Sequence, residues 1–129
     1  MGIVLLSMIF LHIVADFNLQ GMLGELKQKK WWEEHYPDLY PDLYKNDYKV
    51  AAHLHAFSWA FMIMFPILVY QQFTVAWTFY GWFLLNLLAH YRIDDEKANR
   101  GSIGLGIDQF SHLVQIGITW WLFYKGYFM

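Results

Sequence analysis

The stretch His90-Tyr91-Arg92-Ile93-Asp94-Asp95-Glu96-Lys97 ends a long apolar segment and constrains how the rest of the chain can fold. Asn86, His90, Asp94 and Lys97 follow one another at steps of four, four and three residues. Side chains with this spacing share one face of a helix. An imidazole and a carboxylate at the end of a hydrophobic helix are costly to bury unless another group pairs with them. The sequence therefore predicts that other helices supply partners for this face.

The composition indicates a single-domain membrane protein. Hydrophobic residues make up 57% of the 129 residues, and charged residues only 16%, below the roughly 25% usual in soluble domains. There is no cysteine, which excludes disulfides and thiolate metal sites. The net charge of -2 and the lack of a basic stripe predict that nucleic acid is not a partner.

Four segments are long enough to cross a bilayer, which needs roughly 20 apolar residues per helix. The predicted fold is therefore all-α, an integral membrane four-helix bundle that forms one domain over residues 1–129. The predicted spans cover residues 3–22, 50–70, 73–90 and 103–124.

The first connection, residues 23–49, is the longest of the three. Lysines stand beside Trp31 and Trp32, a pairing typical of a helix that lies at a membrane surface. Pro37 and Pro41 follow, and they predict a turn-rich linker rather than a continuous helix.

The distribution of lysine and arginine predicts an orientation in the inner, cytoplasmic membrane. Residues 23–49 and 91–102 hold most of these cations, and the second connection holds none. Positively charged loops stay in the cytoplasm, so both termini are expected outside. In this topology the polar residues of all four spans lie at one depth, on the cytoplasmic side.

A His-x-x-x-Asp motif occurs twice, at His12/Asp16 and at His90/Asp94. Each copy is followed by a span that begins with histidine or aspartate. The pattern suggests two related helical hairpins in parallel orientation, an arrangement that places sites at the interface between repeats.

The second span offers two histidines, His53 and His55, which point about 200° apart on a helix. His53 shares its face with Ala56 and Ala60, and small residues favour close helix packing in a membrane. We therefore expect His53 to face the site, and His55 to be an interfacial or supporting residue.

The polar residues gathered at this depth form a candidate metal site. Imidazole and carboxylate without sulfur suit zinc first, with iron or manganese as alternatives, and two ions could be held. Clustered aspartates repel one another, and a divalent ion removes that repulsion and acidifies a water. The alternative is that the histidines only bond helices together. Asp16, Asp94 and Asp108 are the candidate catalytic carboxylates. The candidate ligands are His12, Asp16, His53, His90, Asp94, Asp108 and His112.

Three functions fit this pattern. The first is a membrane-embedded, metal-dependent hydrolase that acts at the cytoplasmic interface on a lipid or lipid-linked substrate. The second is a transport protein that handles ions or protons. The third is a structural or partner-binding membrane protein whose polar seam fixes helix packing. The lipid bilayer is the expected partner, and a homodimer is plausible because four helices are few to enclose a dry site.

The motifs resemble those of an uncharacterised family of small bacterial and phage membrane proteins, the domain-of-unknown-function family thirty-three-zero-seven. The matching runs are His12–Gln20, His90–Lys97 and Asp108–His112. The family's lysine after the first motif corresponds to Lys27, Lys29 or Lys30, and its histidine in the second helix to His53 or His55. The resemblance implies a multi-pass fold but no established activity. Other small membrane families with similar patterns are described as metal-dependent hydrolases, which is an analogy.

Overall fold

Residues 1–128 are described by a computed structural model, and they form helices and turns without a strand among them. The predicted all-α class is confirmed. Four helices are long enough to build a bundle, and two short ones lie in the first connection. The elements are α1 Gly2–Ile13, which continues as a π-helical turn Val14–Asn18, then α2 Leu23–Leu26, α3 Lys29–His35, α4 Asp47–Tyr70, α5 Trp77–Ala98 and α6 Leu105–Tyr124.

The four long helices close into a ring. Helix α4 packs against α1 on one side and α5 on the other, and α6 packs against both α5 and α1. Both predicted pairs, α1 with α4 and α5 with α6, are therefore in contact. Their relation as two repeats stays a prediction.

Two helix boundaries differ from the sequence prediction for identifiable reasons. The first span is not one regular helix, because the backbone widens into a π-helical turn at residues 14–18. Such turns are rare and often mark functional sites. The link between α4 and α5 covers residues 71–76, longer than expected, and Gln72 and Phe73 adopt φ values of 52° and 61°. Helix α5 therefore begins at Trp77 rather than Phe73.

The first connection has the predicted turn-rich character beyond α3, with turns from Pro37 to Leu43. It is also tied to the end of α5. The Lys29 backbone N–H donates to Asn99 Oδ1 at 2.7 Å, and Asn99 Nδ2 donates to the Lys27 carbonyl at 3.1 Å. These bonds hold α2 and α3 next to the last turn of α5.

The bundle has an apolar half and a polar half. Beyond the polar residues, the interior is filled by large apolar side chains that are fully buried. This apolar core includes Ile63, Met64, Ile67, Ile116 and Phe123.

Large apolar side chains also cover the outside of the bundle. Phe10 of α1 is 62% exposed and Phe110 of α6 is 67% exposed, and α4 and α5 present leucine, valine and phenylalanine in the same way. Large exposed apolar surfaces are typical of regions that contact a lipid bilayer or another protein. By length and composition, one helix in the described part of the chain, Asp47–Tyr70, could cross a membrane. The four-span bundle and its orientation therefore stay predictions.

Replacement of Ala60 by leucine tests the packing of α4. Ala60 is fully buried, so the added methyl groups must displace neighbouring side chains, and we expect a loss of about 1–3 kcal/mol in the free energy of unfolding. Phe61→Leu, at the exposed neighbouring position, is the control and should change it by less than about 0.5 kcal/mol. Unfolding in detergent micelles measures both. Equal effects would contradict the packing described.

Candidate metal centre

A cluster of buried imidazoles and carboxylates lies in the polar half of the bundle, where all four long helices contribute. The π-helical turn carries Asp16, α5 carries His90 and Asp94, and α6 carries Asp108 and His112. Every member of the cluster is at most 7% exposed. The complete set is His12, Asp16, His55, His90, Asp94, Asp108 and His112.

The expectation that His53 faces the site was wrong. His53 is exposed, its ring stacks on Tyr91 at 4.1 Å, and its Nδ1 lies 2.7 Å from the Lys49 carbonyl. His55 is 2% exposed and belongs to the cluster. His55 and Ala56 both belong to the buried strip of α4, and His53 lies outside it. The small residues Ala56 and Ala60 correctly indicated a buried face of α4, but they did not indicate which histidine contacts the polar cluster.

Asp16, His55 and His90 form a first set of potential ligands. Their ligand atoms all lie within 4.8 Å of one another. His55 Nε2 is 3.5 Å from Asp16 Oδ1 and 3.2 Å from His90 Nε2, and the third separation is 3.9 Å. Atoms about 2.0–2.2 Å from a tetrahedral ion lie roughly 3.3–3.6 Å apart. Two imidazoles and one carboxylate form a donor set that catalytic zinc sites use, and Asp94 Oδ2 lies 3.2 Å from His55 Nε2 at the edge of this set.

His90, Asp94 and His112 form a second set under the same 4.8 Å limit. His112 Nε2 is 3.5 Å from Asp94 Oδ1, and the Nδ1 atoms of His90 and His112 are 3.2 Å apart. His90 belongs to both sets. His90 Nε2 lies 3.9 Å from Asp16 Oδ1 and 3.7 Å from Asp94 Oδ2, so His90 can belong to either set.

Three buried atoms of the cluster have no hydrogen-bond partner within residues 1–128. They are Asp16 Oδ1, Asp108 Oδ1 and His112 Nε2. A buried polar atom without a partner costs about 1–3 kcal/mol, so it points to a ligand that supplies the missing contact. Oxygen and imidazole nitrogen are the donors that zinc, iron and manganese accept. The residues present therefore fit a divalent ion.

His12 lies in the cluster but has no ring nitrogen free for a metal. The Trp59 indole N–H donates to His12 Nδ1 at 2.8 Å, and His12 Nε2 is 3.1 Å from Gln109 Oε1. Because an indole can only donate, Nδ1 must accept and Nε2 must carry the proton. The Gln109 amide then donates to Asp16 Oδ2 at 3.1 Å and Asp108 Oδ2 at 3.0 Å. His12 is therefore a positioning residue rather than the ligand that its motif predicts.

Two lysines pair with carboxylates of the cluster. Lys27, only 9% exposed, bonds Asp94, and Lys97 Nζ donates to Asp108 Oδ2 at 2.7 Å. Of the three lysines that follow the first motif, Lys27 is the one that contacts the cluster. It lies in the turn that ends α2, so helical spacing alone could not have identified it.

Asp94 lies four residues beyond the predicted span 73–90, and the groups around its carboxylate favour the ionised form. Burial alone raises the pKa of Asp94, but the neighbouring imidazoles of His112, His55 and His90 and the Lys27 ammonium lower it by more. The net pKa lies well below the usual range for aspartate. An ionised carboxylate is the form that binds a cation.

Comparisons of the chain with protein-family models, with curated proteins and with solved structures find no match. The resemblance to the family of small bacterial and phage membrane proteins therefore stays a prediction. The function has to be inferred from the geometry of the site.

The hydrogen-bond chain predicts one tautomer of His12, with the proton on Nε2. Ring ¹⁵N chemical shifts of the labelled protein measure it directly, and a proton on Nδ1 would contradict the chain. Trp59→Phe removes the donor, and we expect a loss of about 1–3 kcal/mol in the free energy of unfolding together with a mixture of tautomers. Trp77→Phe, at an exposed position, is the control and should change neither property.

Proposed function

We propose that this protein is a membrane-embedded, metal-dependent hydrolase whose site opens at one membrane interface. The observation that carries the proposal is the buried set Asp16, His55 and His90, with ligand separations of 3.5, 3.2 and 3.9 Å. Zinc is the first choice of ion, and iron or manganese use the same donors.

The distribution of polarity supports the membrane part of the proposal. The interior at one end is occupied by ionisable groups, whereas the outer faces of the four long helices are largely apolar. That is the reverse of a soluble bundle. Helices α5 and α6 carry Asn86, His90, Asp108 and His112, which lower their mean hydropathy although these side chains face one another inside the ring. Paired, inward-facing polar residues are what a multi-pass bundle tolerates at membrane depth.

The chain provides a candidate base within the cluster. Lys97 and Gln109 both bond Asp108 Oδ2, so Oδ1 is left unbonded, 3.3 Å from His112 Nε2. A divalent ion would supply polarisation of a carbonyl or phosphoryl oxygen and would acidify a water. Asp108 can take the proton of that water as it attacks. Asp16 and Asp94, the other two catalytic candidates, act in this account as ion ligands.

A proton-handling function is the second candidate, because three histidines form a row. His55, His90 and His112 are joined by nitrogen separations of 3.2 Å, a spacing that allows proton transfer along the row. Beyond His112 the polar groups continue only as far as Asn86, Gln115 and Thr119, which bond one another. The apolar core then fills the bundle. An arrangement that opens on one side favours a hydrolase over a conducting pathway.

Metal content tests the proposal, and the two histidines of α4 provide a matched pair of variants. Purified in detergent, the wild-type protein should contain about one zinc, iron or manganese ion per chain, or two, by elemental mass spectrometry. His55→Ala should lose at least about 90% of it, because a ligand is removed. His53→Ala should retain it. A folded, metal-free wild-type protein, or equal retention by both variants, would contradict the proposal.

Asp108→Asn separates catalysis from ion binding. Asp108 belongs to neither ligand set, so the variant should keep its metal. It should hydrolyse lipid esters or phosphoesters with kcat reduced by about 100-fold or more, because the proton acceptor is lost. A panel of fluorescent short-chain lipid substrates measures this change, with the equally isosteric Asp47→Asn as the control. Unchanged kcat in Asp108→Asn would exclude the assigned role.

A further inference from the structure

A cleft of about 240 Å³ lies between α2 and the end of α5 and reaches the cluster at Asp94. Asp94 lines its inner end, and the side chains of Gln20, Lys27, Gln28 and Lys97 line its sides. Two lysines and two amides make it a polar passage, unlike the apolar grooves between the outer faces of the helices.

The cleft has a fixed internal structure. Lys27 is only 9% exposed. Its ammonium donates hydrogen bonds to Asp94 and to Gln20 Oε1, the latter at 2.7 Å. Gln20 in turn folds over Gly24, where an added Cβ would meet the Gln20 side chain at 2.8 Å. Lys27 is therefore a held cation at the inner end of the cleft, and not a flexible surface lysine.

A bound divalent ion would leave the centre with a net positive charge. Asp16, Asp94 and Asp108 carry three negative charges, and Lys27 and Lys97 carry two positive ones, so with neutral histidines the group has one net negative charge. One divalent ion makes it one net positive charge. Both ammonium groups then lie beside an electropositive centre, which favours an anionic substrate group.

We infer that the cleft binds the phosphate of a lipid phosphate monoester, and this inference rests on the proposed function. Phosphate monoesters carry about −1.5 to −2 charges near neutral pH, more than a carboxylate, and lysine is a common phosphate ligand. The cleft has room for a phosphate and its ester carbon, while acyl chains remain outside. The exposed apolar side chains of Leu19 and Met22, close to Gln20 in the chain, provide a surface for those chains.

The reaction that follows is hydrolysis of the monoester. The oxygen of water forms a new bond to phosphorus as Asp108 takes a proton, and the bond from phosphorus to the lipid oxygen breaks. The leaving oxygen receives that proton, which yields a lipid alcohol and inorganic phosphate. Lys27 and Lys97 bind the phosphate oxygens throughout.

Calorimetric titration of the metal-loaded protein in detergent tests the inference. The probes are inorganic phosphate, short-chain phosphatidic acid and short-chain phosphatidylcholine, whose phosphate is blocked as a diester. We expect phosphatidic acid to bind at least about tenfold more tightly than phosphatidylcholine. Binding of inorganic phosphate without preference for phosphatidic acid would overturn the lipid assignment. Absence of phosphate binding by metal-loaded protein would overturn the inference as a whole.

Variants of the lysines locate the binding. Lys97→Gln lies at the partly exposed end of the cleft and should fold, and it should weaken binding of phosphatidic acid at least about tenfold. Lys30→Gln removes the same charge from an exposed position and should leave it unchanged. Equal affinity in Lys97→Gln and wild-type protein would overturn the inference. Elemental analysis of the same samples separates this result from a failure to bind metal, which would instead refute the proposed function.

Discussion

Three aspartates buried in one pocket impose the main electrostatic constraint on this bundle. Removing an ionised carboxylate from water costs several kcal/mol in a protein unless a cation or hydrogen bonds compensate. Lys27 compensates Asp94 and Lys97 compensates Asp108, and each lysine reaches in from the end of the bundle. Asp16 instead meets His55 and the Gln109 amide. A divalent ion beside Asp16 would supply the positive charge that its surroundings provide only in part.

The division of the bundle into two halves follows from this constraint. The apolar half packs large side chains without polar atoms and provides most of the buried apolar surface. The polar half can then contain buried groups that lower the stability of the fold. Three of its buried atoms have no hydrogen-bond partner within residues 1–128. The π-helical turn at Asp16 and the buried Lys27 belong to this half. Local departures of this kind are expected where a site is built.

Helical spacing predicted the parts of the site that lie within regular helices. His90 with Asp94 and Asp108 with His112 lie on inward faces as their four-residue steps required. Helical spacing could not distinguish His55 from His53, because the packing of α4 against the other helices decides which of the two histidines faces the polar cluster. Helical spacing also did not show that Trp59 donates a hydrogen bond to His12, because the spacing within one helix carries no information about contacts from another helix. Helical spacing could not separate Lys27 from Lys29 and Lys30, because a turn rather than a helix positions Lys27.

X-ray absorption at the edge of the bound metal tests the central claim most directly. We expect a first shell of about four oxygen or nitrogen atoms at about 2.0–2.2 Å, without sulfur, and outer-shell scattering from two imidazoles that falls in His55→Ala but not in His53→Ala. A shell of oxygen atoms alone, or a spectrum identical in the two variants, would contradict the assignment of a metal to Asp16, His55 and His90.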